Sequence, residues 1–264
     1  MVMATNILTS SEIVDWYVEN VSDTVDTNTK KTFIELKNSV EGWKKGTLVR
    51  GVVSKPVDIK AQIRENMSLF INQLSVQNYK PTLSKIKKEM EGSTIARDIF
   101  TEIVVQTGML QENNLELIVG LLEDLGMIQS VIKHLQITLS KMSFIQIDES
   151  SYEQLCVDTK NNTLFKNGYL FLSYIFNKTD EISINGILSY LNFIQNSLGE
   201  NKELNEKYIQ LYVMIVSTVD KKLTQNSPEF MRDILKLLET WKNDKAKYSN
   251  KARFTILDYL DTLQ

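Results

Sequence analysis

From Glu65 to Met90 the chain reads ENMSLFINQLSVQNYKPTLSKIKKEM. Up to Ser75, apolar side chains fall at Ile59, Ile63, Met67, Phe70, Ile71 and Leu74, the spacing of one face of an α-helix. After Ser75, the positions Tyr79, Leu83, Ile86 and Met90 mark a second helical face, with Lys85, Lys87 and Lys88 on its polar side. Ser75 is the expected cap between them. Pro81 inside the second helix would cost a backbone hydrogen bond, which moves the expected start toward Lys80. Two amphipathic helices joined by so short a turn form an αα-hairpin. Neither can hide its apolar stripe alone, so the hairpin requires neighbours of the same kind.

The rest of the chain supplies them. Ser93 is the expected cap of a helix through Ile95, Ile99, Phe100, Ile103 and Val104, stopped near Gly108. Asn113-Asn114 opens the next, which ends at Gly126, and Met127–Met142 gives another. Asp148-Glu149-Ser150-Ser151 is a polar break. Beyond it come Tyr152, Leu155 and Cys156, a polar interval over Asp158–Thr163, and the most apolar run, Gly168–Phe176. Amphipathic stretches follow over Ile182–Leu198 and Leu204–Leu223, then a helix starting at Ser227-Pro228-Glu229 with proline in its first position, and a last one from about Ser249. From residue 58 this gives roughly ten helices in five pairs with a period of about forty residues, the size of HEAT-type repeats. The expected fold is therefore all-α: an α-solenoid of about five antiparallel hairpins over residues 58–264, whose inter-helix edges suit macromolecular partners.

Residues 1–57 read differently. Residues 1–27 hold Glu12, Asp15, Glu19, Asp23 and Asp26 and no Lys or Arg. Short helices are expected near Ser10–Val21 and Lys30–Val40, followed by an extended, glycine-containing arm from Glu41 to Pro56. Trp43 in that arm either packs back on its own segment or anchors a partner.

Composition narrows the function classes. The 264 residues carry a net charge of −3, with 10 glycines and only 3 prolines. No global positive field advertises nucleic-acid binding. A single Cys156 leaves no internal disulfide and no multi-cysteine zinc site, which fits a reducing compartment, and the expected location is the cytoplasm. No apolar run reaches bilayer-crossing length, and residues 1–20 lack the basic start and apolar core of a signal peptide. His134, the one histidine, sits at helical spacing beside Val131 and Leu135 and reads as a helix-surface residue. Cys156, between Leu155 and Val157, reads as a small buried apolar residue with no histidine to activate it. Met67, Met90, Met127, Met142, Met214 and Met231 fall on apolar faces and read as core. No acid, base, nucleophile and metal set can be assembled, so no catalytic residue, metal or cofactor is expected.

Charge is uneven. Between Lys221 and Arg253 nine basic residues stand against four acids. Such a basic end either follows RNA phosphates or merely solvates two helix faces; the aromatic interleaving of single-strand binders is missing.

Three stretches together resemble the middle domain of eukaryotic translation initiation factor 4G. Phe70-Ile71-Asn72-Gln73-Leu74-Ser75-Val76-Gln77-Asn78-Tyr79 is similar to the family's opening Ile-Leu-Asn-Lys-Leu-Thr-Pro-x-x-Phe, with Val76 where the family has proline. Gly168 to Phe176 resembles its Gly-x-x-x-Phe-Ile-Gly-x-Leu-Phe helix, with Leu172 for Ile and Ser173 for the second Gly. Ser249 to Asp261 resembles its closing Ser-x-Arg-x-Arg-Phe-x-x-x-Asp-x-x-Asp: Arg253, Phe254, Asp258 and Asp261 match, and Lys251 replaces an Arg. Arg253 and its two aspartates have a purely structural reading too, as a tie between the last two helices.

The resemblance implies a reduced or divergent form of a non-enzymatic scaffold that binds a DEAD-box RNA helicase of the initiation factor 4A type, orients its two lobes, and contacts RNA. Carried onto this sequence, the helicase contacts are Trp43, Lys44, Lys45, Asn72, Gln73 and Arg253. The RNA contacts expected from the basic stretches are Lys85, Lys87, Lys88, Lys221, Lys222, Lys242, Lys245, Lys247 and Lys251. The family's cap-binding-protein motif, Tyr-x-x-x-x-Leu plus an apolar residue, is matched only in degenerate form by Thr29 to Leu36. A cap-binding protein held through residues 1–57 is the further partner the resemblance admits. The alternative function on the same fold is an adaptor in mRNA decay, splicing or nuclear cap binding.

Overall fold

The computed structural model describes residues 58–263. The chain divides after Val57, and Asp58–Gln264 forms one compact unit. The expectations for residues 1–57, Trp43, Lys44 and Lys45 included, lie outside the described residues. Among the described residues the structure is all-α, with no strand. Its helices are α1 (Ile59–Asn72), α2 (Tyr79–Met90), α3 (Thr94–Leu110), α4 (Leu115–Leu125), α5 (Ile128–Leu139), α6 (Tyr152–Lys178), α7 (Ile184–Asn196), α8 (Lys202–Asn226), α9 (Pro228–Asn243) and α10 (Asn250–Asp261). Each odd-numbered helix packs on the even one that follows it, giving five hairpins. The even helices stack in chain order, α2 on α4, α4 on α6, α6 on α8 and α8 on α10. The odd ones stack only from α1 to α3 to α5. The result is a solenoid-like array of helical hairpins with one continuous apolar core, from Met67 in α1 to Tyr259 in α10.

Local chemistry sets the helix starts. Asp58, Ser93, Ser151, Ser183, Asn201 and Ser249 each accept first-turn amides through a side-chain oxygen. Pro228 opens α9, and Gly126 closes α4 in the left-handed region at φ 64°. The first turn is built otherwise than expected. Ser75 caps nothing; Asn78 does the work, its Oδ1 accepting from the Ser75 amide at 2.8 Å and its Nδ2 donating to the Gln73 carbonyl at 2.5 Å. Helix α2 therefore begins at Tyr79, and Pro81 falls in its first turn, where proline costs no internal bond.

One glycine read from the sequence as a helix stop, Gly108, is interior. Helix α3 runs past Gly108 to Leu110, and a Cβ at Gly108 would stand 2.5 Å from the Phe171 ring of α6. The missing side chain lets an aromatic ring rest on the α3 backbone. Gly168, inside α6, receives Leu139 of α5 in the same way, with a Cβ position 2.6 Å from its Cδ2.

The polar interval Asp158–Thr163 is also helical. Helix α6 runs unbroken for 27 residues, about 40 Å at 1.5 Å per residue. Two buried polar groups of its first half, Asp158 and Asn162, serve the 140–151 connection, while Thr159, Lys160, Asn161 and Thr163 face solvent. Asn162 accepts from the Ile145 amide at 2.9 Å and donates to the Ile145 carbonyl at 3.0 Å. Asp158 accepts from the Asp148 amide at 2.9 Å and from Gln154 Nε2 at 2.7 Å. Phe144 then drops edge-on against Phe165 and Tyr208, with ring centroids 4.9 and 5.0 Å away. Asn162→Ala should cost about 1–3 kcal/mol, since it strands the Ile145 amide, while the Ile145 carbonyl keeps the Lys207 ammonium at 3.1 Å. Amide hydrogen exchange checks this: the Ile145 amide should lose protection while those of α8 keep theirs.

Cys156 is exposed, not buried as its neighbours suggested, because the connection covers only the Asp158–Asn162 side of α6. Met67, Met90, Met127 and Met231 are in the core, and Met142 and Met214 pack partly buried against it.

Candidate nucleic-acid interface

The array has two edges. The turns within hairpins, such as that between α9 and α10, lie along one; the links between hairpins, such as those between α2 and α3 and between α8 and α9, lie along the other. The lysines read as one RNA-binding set are split between them.

On the intra-hairpin edge the charges are largely matched. Lys242 pairs with Glu239 at 2.6 Å, and Lys251 of α10 with Glu206 of α8 at 2.9 Å. Glu206 also accepts from the Ser249 hydroxyl at 2.7 Å, which fastens the α10 start to α8. Lys247 lies 5.7 Å from the Tyr248 ring centroid, and Lys245 is exposed. Arg253 is occupied by its own fold: Nε donates to the Lys242 carbonyl at 2.6 Å and a terminal nitrogen to Asn250 Oδ1 at 3.2 Å. The tie between the last two helices is thus made through Arg253, and among the described residues neither Asp258 nor Asp261 shares in it.

On the inter-hairpin edge, Lys222 proves to be a structural cation. Its ammonium donates to the carbonyls of Phe176 and Thr179 at 2.9 and 2.7 Å and to Asp180 at 2.9 Å, satisfying the C-terminal end of α6. Its neighbour Lys221 is exposed in a cleft of about 800 Å³ that also holds Asp220 and Arg232.

The strongest unmatched cluster lies farther along this edge. Lys87 and Lys88 occupy the last turn of α2. After the Glu91-Gly92 turn, in which Gly92 takes φ 67°, α3 begins and its first turns bring Arg97 beside them. These three cations, with Glu91, Met90, Leu125 and Met127, line an open cleft of about 460 Å³. Among the described residues none of the three makes an ion pair, and all are exposed. Helix α5 starts directly behind Met127, which provides no side-chain cap, so a positive helix end adds to the field. Lys85 is set apart, 5.8 Å from the Phe70 ring centroid. Arg97 was not among the residues read from the sequence. The signal was there: a three-residue break after Met90, Glu91-Gly92-Ser93, must return the chain beside Lys87 and Lys88.

Asn72 and Gln73 are exposed at the end of α1, with the Gln73 carbonyl held by Asn78. The adjoining Tyr79 hydroxyl donates to Asp124 at 2.7 Å, joining α2 to α4; burial, then that carboxylate, pushes its pKa well up. His134 is half-buried on α5, on the same side as Glu102. The Arg64 guanidinium grips Glu102 through two bonds, 2.6 and 3.2 Å, and holds its carboxyl below the usual range. Among the described residues no three His, Cys, Asp or Glu side chains are grouped to hold a metal ion, and no helix is long and apolar enough to cross a membrane.

What the arrangement offers chemically is three exposed cations and one carboxylate, Glu91, around an open cleft, suited to phosphates spaced along a strand. A scan of the chain against protein-family models finds no match, and no curated protein matches it.

Proposed function

We propose that this protein is a non-enzymatic scaffold of translation initiation, working in the cytoplasm, that binds and stimulates an initiation factor 4A-type DEAD-box helicase and contacts RNA. The observation that carries the reading is the placement of the three stretches that resemble the factor 4G middle domain. Phe70–Tyr79 is the turn of the first hairpin, Gly168–Phe176 the buried second half of α6, and Ser249–Asp261 the capped last helix. They stand at the start, middle and end of one helical array, in the order the resemblance requires. Hairpin arrays of this kind act by holding partners along their edges and need no reacting group of their own.

The RNA contact is assigned to the Lys87–Lys88–Arg97 cleft. The helicase contacts are assigned to Trp43, Lys44 and Lys45, with Asn72 and Gln73 at the first turn. Arg253, spent on the α9 carbonyl, serves chiefly to fix the end of the array.

The test is the ATPase rate of a factor 4A-type helicase with a saturating RNA, with and without the full chain. A rise of several-fold is expected, saturating with added protein. An unchanged rate at micromolar protein contradicts the proposal and favours an adaptor for a different RNA process.

A further inference from the structure

Unmatched cations stand at two places on the inter-hairpin edge. One is the Lys87–Lys88–Arg97 cleft at the α2–α3 link. The other is the cleft of about 800 Å³ at the α8–α9 link, lined by Lys221 of α8 and Arg232 of α9. Both side chains are exposed, and among the described residues neither makes an ion pair. The carboxylate of this second cleft, Asp220, is engaged by its own fold. Half-buried, it accepts from the Lys221 amide at 2.6 Å and from the Tyr259 hydroxyl at 3.4 Å.

Between the two clefts the edge has the opposite sign. The α4 end carries Glu123 and Asp124 and the α6–α7 link carries Asp180 and Glu181, all exposed. The lysines of that stretch are committed, Lys178 to Glu116 at 2.6 Å and Lys222 to Asp180 at 2.9 Å. Helices α2, α4, α6 and α8 stack in order, so three interaxial steps of about 8–10 Å set the clefts about 25–30 Å apart. A stacked strand rises about 3.4 Å per nucleotide, so about eight steps join them. Carboxylates repel phosphates, so a strand that crosses this stretch is held at its two ends.

We infer that the Lys221–Arg232 cleft is a second RNA-phosphate site, and that one single strand bridges it to the Lys87–Lys88–Arg97 cleft across the acidic links. The inference rests on the RNA reading of the first cleft. Arg232 offers a phosphate its forked donors, and Lys221 adds a point charge. No aromatic side chain lines either cleft, so affinity comes from phosphates and not from stacked bases. Once a strand is long enough to span, its second contact is intramolecular, and affinity rises with length.

The probes are oligouridylates of four and fourteen nucleotides, added at low salt to the amide-labelled full chain and followed by NMR. The tetramer, about 10 Å long when stacked, fits one cleft at a time. It should shift two separate sets of amides, one around Lys88 and Gly92 and one around Thr224 and Arg232. The fourteen-mer should bind one-to-one, and Lys221→Ala with Arg232→Ala should weaken it by at least about tenfold. Amide positions away from the cleft report that this variant is folded. If the clefts took separate strands, the variant would lose no more than about twofold, which would overturn the bridge. Tetramer shifts confined to the first cleft would overturn the second site and leave the RNA reading standing. No shift at either cleft would overturn both.

Discussion

Phe171→Ala should destabilise the array by about 3–5 kcal/mol, the range for truncating a fully buried phenylalanine. The ring is 0% exposed and lies at the crossing of α3 and α6, where Gly108 gives it the α3 backbone as a packing surface. Against a total stability of roughly 5–15 kcal/mol for a domain, this one change consumes a large share. Urea unfolding of the full chain measures it as a fall in midpoint. The partner experiment is Gly108→Ala. Alanine is the better helix former by about 1 kcal/mol, but its methyl would stand 2.5 Å from a ring that cannot turn away, so a net loss of about 1–3 kcal/mol is expected. Gly168→Ala is the contrast: there the obstacle is the branched end of Leu139, which can rotate, so the change should cost less than about 1 kcal/mol. Combining Gly108→Ala with Phe171→Leu should cost less than the sum of the two singles, because the methyl occupies space the smaller side chain vacates.

Lys87→Ala, Lys88→Ala and Arg97→Ala together should lower affinity for a single-stranded RNA by about 100-fold near 0.1 M salt. Each phosphate contact on a single strand contributes about 0.7 to the slope of log affinity against log salt, so three account for a slope change of about 2. Titrating fluorescent RNA at several salt concentrations reads both quantities. The control is Lys242→Ala with Lys251→Ala, whose ammonium groups already face Glu239 and Glu206. It should change affinity by no more than about threefold. A loss as large in the control as in the cleft variant would place RNA on the opposite edge.

The hairpin array was legible because apolar spacing and cap residues agree along most of the chain. Asp58, Ser93, Ser151 and Ser249 stand where amphipathic stripes begin, and Gly126 where one ends in a left-handed turn. Sequence reading failed where a residue type has two uses. Gly108 can end a helix or admit a neighbour's side chain, and only the packing of α6 against it decides. Asp158 and Asn162 look like a solvated break, yet their partners are backbone groups of the 140–151 connection, which no local pattern announces. The same limit governs the charges. Lys222 and Lys221 are adjacent in the chain, but one closes the end of α6 and the other faces solvent. A charge count along Lys221–Arg253 pointed to the end whose lysines are mostly paired, whereas the unmatched cluster needs Arg97 brought across a turn to Lys87 and Lys88.

The most direct test of the scaffold proposal is a binding titration of the purified full chain with a factor 4A-type helicase, in the presence of RNA and a non-hydrolysable ATP analogue, alongside Trp43→Ala. The account predicts a one-to-one complex that Trp43→Ala weakens by roughly thirtyfold or more, the loss of a hot-spot contact of about 2 kcal/mol or greater. No detectable complex, with the protein folded and the helicase active, would contradict it.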